Sequence, residues 1–384
     1  MTSIWLQMKI MNSSRGGLKI ADDVLLSKTI TFLRFPLIVG VVLIHSSPND
    51  VIINGVNVVS QSGALYANMT YLVSEIVARI AVPLFFLISG FLFLYKTDEF
   101  TKELYAQKLK KRIKTLLIPY LFWNLAVIVL FFLAQTLLPG LMSGQNKMVA
   151  DYTVQDWLWA FWNKDKILNI DSNAAPICFQ FWFIRDLMVM VLFSPIIYLL
   201  VKKLKICILL ALGLLWIFRL EIDVPGFSIT ALFFFTTGVY LAVNKINFIK
   251  ILQPYWVPFS LVSFLLIITE LCLREYDWCK YLHQINILVG MLSVISLSAH
   301  FIATGVWKVN AFLSESSFFI YAYHGMFLAL VTKFLCRVLL PHTDWQLVAL
   351  YFMSPAVIIA VGLFLYWLLK RILPRTTAII TGGR

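Results

Sequence analysis

Two side chains that could do chemistry, Arg34 and His45, lie in the apolar run TFLRFPLIVGVVLIHS from Thr31 to Ser46. In a helix their spacing of eleven residues is about 1100° of rotation, close to three whole turns, so they share a face roughly 16 Å apart along the axis. An imidazole is the usual general base for activating a hydroxyl. A guanidinium can hold a carbonyl or phosphate oxygen through its fork of donors. The pair therefore indicates a group-transfer site.

Each of these two residues also has a structural alternative. Arg34 could extend its guanidinium to the cytoplasmic interface of a membrane, and His45 could hydrogen-bond a carbonyl at the outer interface. A charged group inside the hydrocarbon costs several kcal/mol unless it faces protein, water or a ligand. We therefore expect both side chains to face a shared, protein-lined passage.

The chain has the composition of a polytopic membrane protein. Of its 384 residues, 60% are hydrophobic and 13% are charged, against about 25% charged in an ordinary soluble domain. The mean hydropathy is +0.85. The net charge of +13 would suggest nucleic acid in a soluble chain. In a membrane protein basic residues mainly report orientation, so nucleic-acid binding is not expected.

Apolar runs of about 20 residues predict an all-α fold of ten transmembrane helices. They cover residues 29–47, 71–95, 115–138, 180–201, 206–220, 228–244, 255–273, 284–304, 316–336 and 346–369. The fifth and sixth are short for a full crossing. An even number of crossings leaves both termini on one side, and lysine and arginine collect in the segments on that side. The positive-inside rule therefore predicts cytoplasmic termini.

This topology divides the chain into three parts. We expect a cytoplasmic N-terminal segment at residues 1–28, a transmembrane domain at 29–369 with an extracytoplasmic loop at about 139–178, and a cytoplasmic tail at 370–384. No cleavable signal peptide and no second soluble domain are expected. The five cysteines show no C-x-x-C spacing, so neither a metal site nor a disulfide framework is predicted. A Cys272–Cys279 bridge stays open as an alternative.

Several polar pairs lie inside the other predicted helices. Glu75 and Arg79 are four residues apart and can pair on one helix face; the structural alternative is an ion pair at a helix kink caused by Pro83. Two further pairs of polar residues each allow a functional and a structural interpretation. Arg185 beside Asp186 could hold an acceptor sugar or be neutralised by its neighbour, and Tyr321 with His324 could face the same cavity or form a packed core pair.

Five motifs carry a resemblance to a known family. They are the R-x10-H pair of Arg34 and His45, RIAVPLFFLISGFLF from Arg79, KKRIKTLLIPYLFW from Lys110, FWFIRDL with a later SP from Phe181, and SFFIYAYHGMF from Ser317. With these motifs in this order, the chain resembles the acyltransferase 3 family of membrane acyltransferases, which O-acylate bacterial surface glycans and related acceptors. The ten-helix count agrees with what that family implies.

The resemblance implies roles for several residues. His45 would be the essential catalytic residue, Arg34 would support it, and Arg79 would line the acyl-donor path. Where the family often has an R-x-x-R pair, this chain has Lys111 and Lys114 with Arg112 between them. Lysine lacks the bidentate fork of arginine. The cluster still suits the phosphates of coenzyme A, and its alternative is a topology signal that also attracts anionic lipid.

The resulting functional expectation is an O-acetyltransferase of the plasma (inner) membrane. It would move an acetyl group from acetyl-CoA, a co-substrate rather than a bound cofactor, to a sugar hydroxyl of a lipid-linked or cell-surface polysaccharide. His45 would act as a general base or form a transient acyl-histidine. The chain would act alone or hand over to a separate extracytoplasmic protein. The alternatives are a transporter or flippase for a lipid-linked saccharide, with the buried arginines as an anion path, and a scaffold held at the membrane by its cytoplasmic lysines.

Overall fold

The structure is a computed structural model that describes residues 21–49, 51–53, 55–60, 62–137, 147–168, 174–220, 222 and 224–383. This part of the chain is helical apart from loops and one antiparallel hairpin of strands β1 (Ile52–Ile53) and β2 (Val56–Asn57). The helices are α1 (Asp22–Ile44), α2 (Ala64–Leu94), α3 (Lys102–Leu137), α4 (Val154–Ala160), α5 (Asp165–Leu168), α6 (Phe179–Leu192), α7 (Ser194–Leu204), α8 (Ile206–Ile217), α9 (Ile229–Val243), α10 (Phe248–Leu273), α11 (Cys279–Ala303), α12 (Ala311–Leu339), α13 (Asp344–Ile372) and α14 (Pro374–Ile380).

The predicted all-α, polytopic membrane fold is confirmed. Among the described residues, seven helices are long and apolar enough to cross a membrane, and α6 with α7 adds an eighth crossing if the bent pair is counted as one. The apolar helices α8 and α9 have 12 and 15 residues. At 1.5 Å per residue they are about 18 and 22 Å long, less than the roughly 30 Å of hydrocarbon. Each of the ten predicted segments coincides with one of these helices or with the bent pair.

Some predicted boundaries were wrong. Helix α1 begins at Asp22 and α3 at Lys102, well before the predicted starts at residues 29 and 115, because both helices open with charged turns that hydropathy does not count. The predicted fourth helix is bent by 64° between α6 and α7. Pro195 has no N–H for the carbonyl of Val191, which instead accepts a hydrogen bond from the Ser194 hydroxyl at 2.7 Å.

The predicted outer loop, 139–178, contains structure of its own where it is described. Residues 138–146 and 169–173 lie outside the described residues. Helix α4 begins with a capping box between Thr153 and Asp156, and Lys147 Nζ lies 2.6 Å from the Asp156 carboxylate. The bonds from Lys147 and Thr153 lower the pKa of Asp156 to about 2. The loop is therefore held together by local polar contacts. All five cysteines, including Cys272 and Cys279, are free thiols.

Helix α1 lies at the centre of the bundle, where it packs against α2, α11, α12 and α13. Its residues Leu33 and Val42 are 1% and 0% exposed. Charged side chains inside a membrane usually face other helices or a cavity rather than lipid, so we expect this of the chemistry-bearing residues of α1.

Helices α2 and α9 form the most extensive helix contact, through two glycines. A Cβ atom on Gly90 would lie 2.1 Å from the carbonyl oxygen of Phe235, and one on Gly238 would lie 2.1 Å from that of Leu87. Small residues let two helix backbones touch, which is how many membrane helices associate. This contact fixes α2, the helix that carries Glu75 and Arg79.

Candidate functional site

The end of α1 is held by two hydroxyl groups, one of which is itself bonded by a hydroxyl from a third helix. The carbonyl of Leu43 accepts hydrogen bonds from the hydroxyls of Ser46 and Ser74, both at 2.8 Å. The Ser74 hydroxyl on α2 lies 2.7 Å from the hydroxyl of Tyr351 on α13. Carbonyls in the last turn of a helix have no partner within the helix, and these hydroxyls supply one. They fix the backbone that carries His45, the residue after α1.

This arrangement gives a testable prediction about positioning. We expect Ser74→Ala and Tyr351→Phe each to lower the free energy of unfolding by about 1 kcal/mol, the usual net contribution of one hydrogen bond. Because the two hydroxyls bond each other, the double variant should lose less than the sum of the single losses. Thermal unfolding of the purified single and double variants measures this, and strictly additive losses would contradict the coupling.

His45 is exposed, and its ring contacts two aromatic rings from other segments. The ring of Phe179 meets it edge-on at 5.0 Å, and the ring of His324 on α12 stacks at 5.8 Å between centroids. Lys164 of the outer loop lies over Phe179, and burial lowers the pKa of this lysine. The structure therefore brings two predicted site residues, His45 and His324, side by side.

His324 is fully buried, and its ring has a fixed orientation. Its Nδ1 lies 2.7 Å from the carbonyl oxygen of Tyr321, which can only accept, so Nδ1 carries the hydrogen. Its Nε2 has no hydrogen-bond partner among the described residues. The Tyr321 hydroxyl donates to the carbonyl of Gln180, whose side chain donates back to Ala322 at 3.0 Å. Tyr321 thus belongs to a packed polar contact between α6 and α12, with His324 next to it.

Arg79 and Glu75 form the ion pair that their spacing predicted. The Arg79 Nη2 and Nε atoms lie 2.6 and 3.0 Å from one carboxylate oxygen of Glu75. The pair lies where α2 changes from a π-helical turn, Tyr71–Val77, to a 3₁₀ turn, Ala78–Ile80. Pro83 cannot donate to the Arg79 carbonyl, which is consistent with this irregularity.

A cavity of about 730 Å³ opens at this end of the bundle, and we call it the outer cavity. Its wall includes Glu75, Arg79, Trp182 and His283, and also Ile44, the neighbour of His45. The predicted orientation places it on the extracytoplasmic side. The Glu75–Arg79 pair therefore faces a space large enough for a small molecule.

One polar cluster beside the outer cavity, centred on Glu270 of α10, is not among the residues predicted from the sequence. This carboxylate is fully buried and contacts Tyr71, His283 and Asn286. A lone carboxylate within the apolar run of α10 is itself a signal, because such groups are rare inside membranes and usually functional. Its partners come from α2 and α11, and no spacing rule connects them.

Arg34 is half-buried on α1 and makes no hydrogen bond or ion pair with any residue that the structure describes. It lies on the helix that His45 directly follows, and the shared passage expected for the two side chains stays a prediction. An arginine within a bundle usually pairs with an anion or a carbonyl. The guanidinium is thus available to a substrate, and its role stays a prediction.

The basic cluster lies at the opposite end of the bundle, around the junction of α3 with its π-helical turn, Ile113–Leu117. Lys111 and Lys114 are exposed, whereas Arg112 is half-buried with its guanidinium 5.7 Å from the centre of the Phe93 ring. The two lysines can reach a ligand in solution. Arg112 packs against α2, and no observation tests its predicted role in donor binding.

Arg185 is buried and fully engaged. It contacts Asp186 at 3.0 Å, donates to the carbonyl of Trp162 at 2.7 Å and also donates to the carbonyl of Ala174. This is the mutual pairing that the sequence analysis gave as its alternative to acceptor binding. Arg185 therefore ties the outer loop to α6, and its acceptor-binding role is untested.

Comparisons with known proteins agree with the resemblance drawn from the motifs. The family model described as an acyltransferase domain, acyltransferase 3, matches residues 28–371. The chain is 26% identical over 369 residues to the succinoglycan biosynthesis protein ExoH of Rhizobium meliloti (strain 1021), and the alignment covers 94% of each chain. No solved structure matches it significantly. Since the family match covers well over half of the chain, the chain belongs to the acyltransferase 3 family and is a multi-pass membrane acyltransferase.

Proposed function

We propose that this protein is an O-acyltransferase of the plasma (inner) membrane that moves an acetyl group from cytoplasmic acetyl-CoA to a sugar hydroxyl of a lipid-linked or cell-surface polysaccharide. Family membership supports acyl transfer. The name of the relative, a succinoglycan biosynthesis protein, supports a polysaccharide acceptor. The observation that carries the proposal is the exposed His45 at the fixed end of α1, on the same helix as an arginine without a described partner.

The proposed reaction gives His45 and the two arginines, Arg34 and Arg79, separate roles. His45 takes the proton of the sugar hydroxyl as the oxygen attacks the thioester carbonyl. The carbon–sulfur bond breaks, and the coenzyme A thiolate leaves and takes up a proton. Arg34 and Arg79 hold the donor or stabilise the negative charge that develops on the carbonyl oxygen. In the alternative route, His45 attacks the thioester, the carbon–sulfur bond breaks, and coenzyme A leaves as the thiol with the imidazole proton. The sugar hydroxyl then attacks the acyl-histidine, the carbon–nitrogen bond breaks, and the hydroxyl proton restores the imidazole.

An assay that follows both the acetyl group and the saccharide tests this function against the flippase alternative. Proteoliposomes receive acetyl-CoA labelled in the acetyl group and a lipid-linked saccharide isolated from bacterial membranes. Label that appears on the saccharide supports acyl transfer, whereas movement of unmodified saccharide between leaflets without any CoA ester would support transport. A parallel reaction with labelled succinyl-CoA decides between acetyl and succinyl groups, and label from neither donor would contradict the proposal.

The basic cluster gives a prediction about the donor. We expect Lys111→Ala combined with Lys114→Ala to raise the KM for acetyl-CoA about tenfold, because each removed ammonium loses an attraction of about 1 kcal/mol or less to a phosphate. The KM for acetyl-N-acetylcysteamine, a thioester without phosphates, should not change. Lys102→Ala, at the start of the same helix, is the matched control. Equal increases for both thioesters would argue against phosphate binding.

A further inference from the structure

The buried carboxylate of Glu270 joins three helices at the wall of the outer cavity. It is 0% exposed. One of its oxygens lies 2.8 Å from Nδ1 of His283 and 3.2 Å from the hydroxyl of Tyr71, and the other accepts from the Asn286 amide at 2.7 Å. Three neighbours that can donate are what a buried carboxylate requires, because it can only accept.

This contact fixes the chemistry of the His283 ring. Since the carboxylate accepts, Nδ1 carries the hydrogen, and the Nε2 of a neutral ring is left with a lone pair. His283 lines the outer cavity, and its Nε2 has no hydrogen-bond partner among the residues that the structure describes. A histidine held by a carboxylate through one nitrogen presents the other nitrogen in a defined direction. His283 therefore gives the cavity wall an oriented acceptor for a hydroxyl group.

The rest of the cavity wall combines aromatic rings with planar polar groups. Trp182 and Tyr71 supply ring surface, and Arg79, Arg274 and Gln284 supply N–H donors. A sugar has apolar C–H faces and a rim of hydroxyls, so it needs this combination of stacking surface and hydrogen-bonding groups. The volume of about 730 Å³ is within the usual range for a small-molecule site.

We propose that the outer cavity binds the saccharide acceptor, with Nε2 of His283 accepting a hydrogen bond from a sugar hydroxyl. This inference rests on the proposed function and adds the place of the acceptor. His283 acts as a positioning residue, and Glu270 holds it in orientation. Ile44, the residue before His45 in the chain, lies in the same wall.

Acceptor kinetics test this proposal with octyl β-glucoside and octyl β-galactoside as probes, supplied below their micelle-forming concentrations to the protein in nanodiscs. We expect His283→Gln to raise the KM for the better glycoside at least tenfold and to leave the KM for acetyl-CoA unchanged. Glu270→Gln should raise the glycoside KM about threefold, because the amide oxygen still accepts from Nδ1. His300→Gln is the matched control, since His300 stacks on Trp256 at 4.5 Å. It lies on the same helix roughly 25 Å away.

A binding measurement separates failure of this proposal from failure of the proposed function. Saturation-transfer NMR of the glycosides with the wild type needs no acetyl transfer, and the signal should disappear in His283→Gln and persist in His300→Gln. If the wild type binds glycoside but transfers no acetyl group, the function is wrong and the site stands. Glycosides that do not bind the wild type, or an unchanged glycoside KM in a folded His283→Gln protein, would overturn the site.

Discussion

Replacing His45 with glutamine is expected to reduce acyl transfer by about 100-fold to 10,000-fold, the usual contribution of a general base. Glutamine occupies similar volume and retains hydrogen-bonding groups, but it cannot take the proton of the sugar hydroxyl. The backbone here should not move, because the Ser74 hydroxyl of α2 bonds the carbonyl of Leu43 and the Tyr351 hydroxyl of α13 bonds Ser74. The measurement is label transferred from acetyl-CoA to the saccharide by equal amounts of folded wild type and variant.

A second histidine at the same end of the bundle supplies the control. His342, exposed just before α13, makes its described hydrogen bond through its backbone N–H, so His342→Gln should keep full activity. A folded His45→Gln protein with undiminished transfer would show that the reaction uses another base. His324, whose buried Nε2 lacks a described partner, would then be the first alternative to examine.

Replacing Gly90 with alanine is expected to prevent normal folding. The added methyl carbon would lie 2.1 Å from the carbonyl oxygen of Phe235, a backbone atom that cannot turn away. Separating α2 from α9 to relieve this overlap should cost about 3 kcal/mol. The measurement is the yield of monodisperse protein in size-exclusion chromatography, together with its thermal unfolding temperature.

Gly40 offers a matched control for this substitution. It also lies within a membrane helix, but a Cβ atom there would lie 3.6 Å from the nearest atoms of Ala78, an ordinary van der Waals distance. Gly40→Ala should therefore fold normally, with stability raised by up to about 1 kcal/mol through its better helix propensity. Equal loss of folded protein in both variants would mean that the α2–α9 contact has no special role.

Much of the fold could be predicted because it follows from local hydrophobicity. Ten apolar segments were identified, and each corresponds to a helix or to the bent pair. The predicted helix bounds are wrong where charged helical turns or a proline, rather than hydropathy, decide where a helix begins or bends. The charged first turns of α3 extend the helix beyond its apolar part. The break at Ser194 follows from the missing N–H of Pro195, a signal that was present in the sequence but not used.

The site was predictable only where its residues share one helix. The Glu75–Arg79 pair follows from a spacing of four residues and is present. The contact of His45 with His324 joins α1 to α12, and the contact of Glu270 with Tyr71 joins α10 to α2. Periodicity cannot identify such neighbours, because they depend on how the helices are arranged. Arg185 pairs with its sequence neighbour Asp186, which the sequence could suggest. It also donates to two carbonyls of the outer loop, which the sequence could not.

The hydrogen bonds to the carbonyl of Leu43 also bear on which group moves across the membrane in the proposed reaction, His45 or the acyl donor. The Ser74 hydroxyl of α2 bonds the carbonyl of Leu43, and the Tyr351 hydroxyl of α13 bonds Ser74. Because this holds the backbone next to His45, we do not expect the imidazole to carry an acetyl group from one leaflet to the other. In the proposed reaction, the flexible arm of coenzyme A would then have to cover that distance along α1, the helix that carries Arg34. The thickness of the membrane would therefore set the minimum length of the donor's arm. A thioester with a much shorter arm would reach His45 only if it were supplied from the extracytoplasmic side.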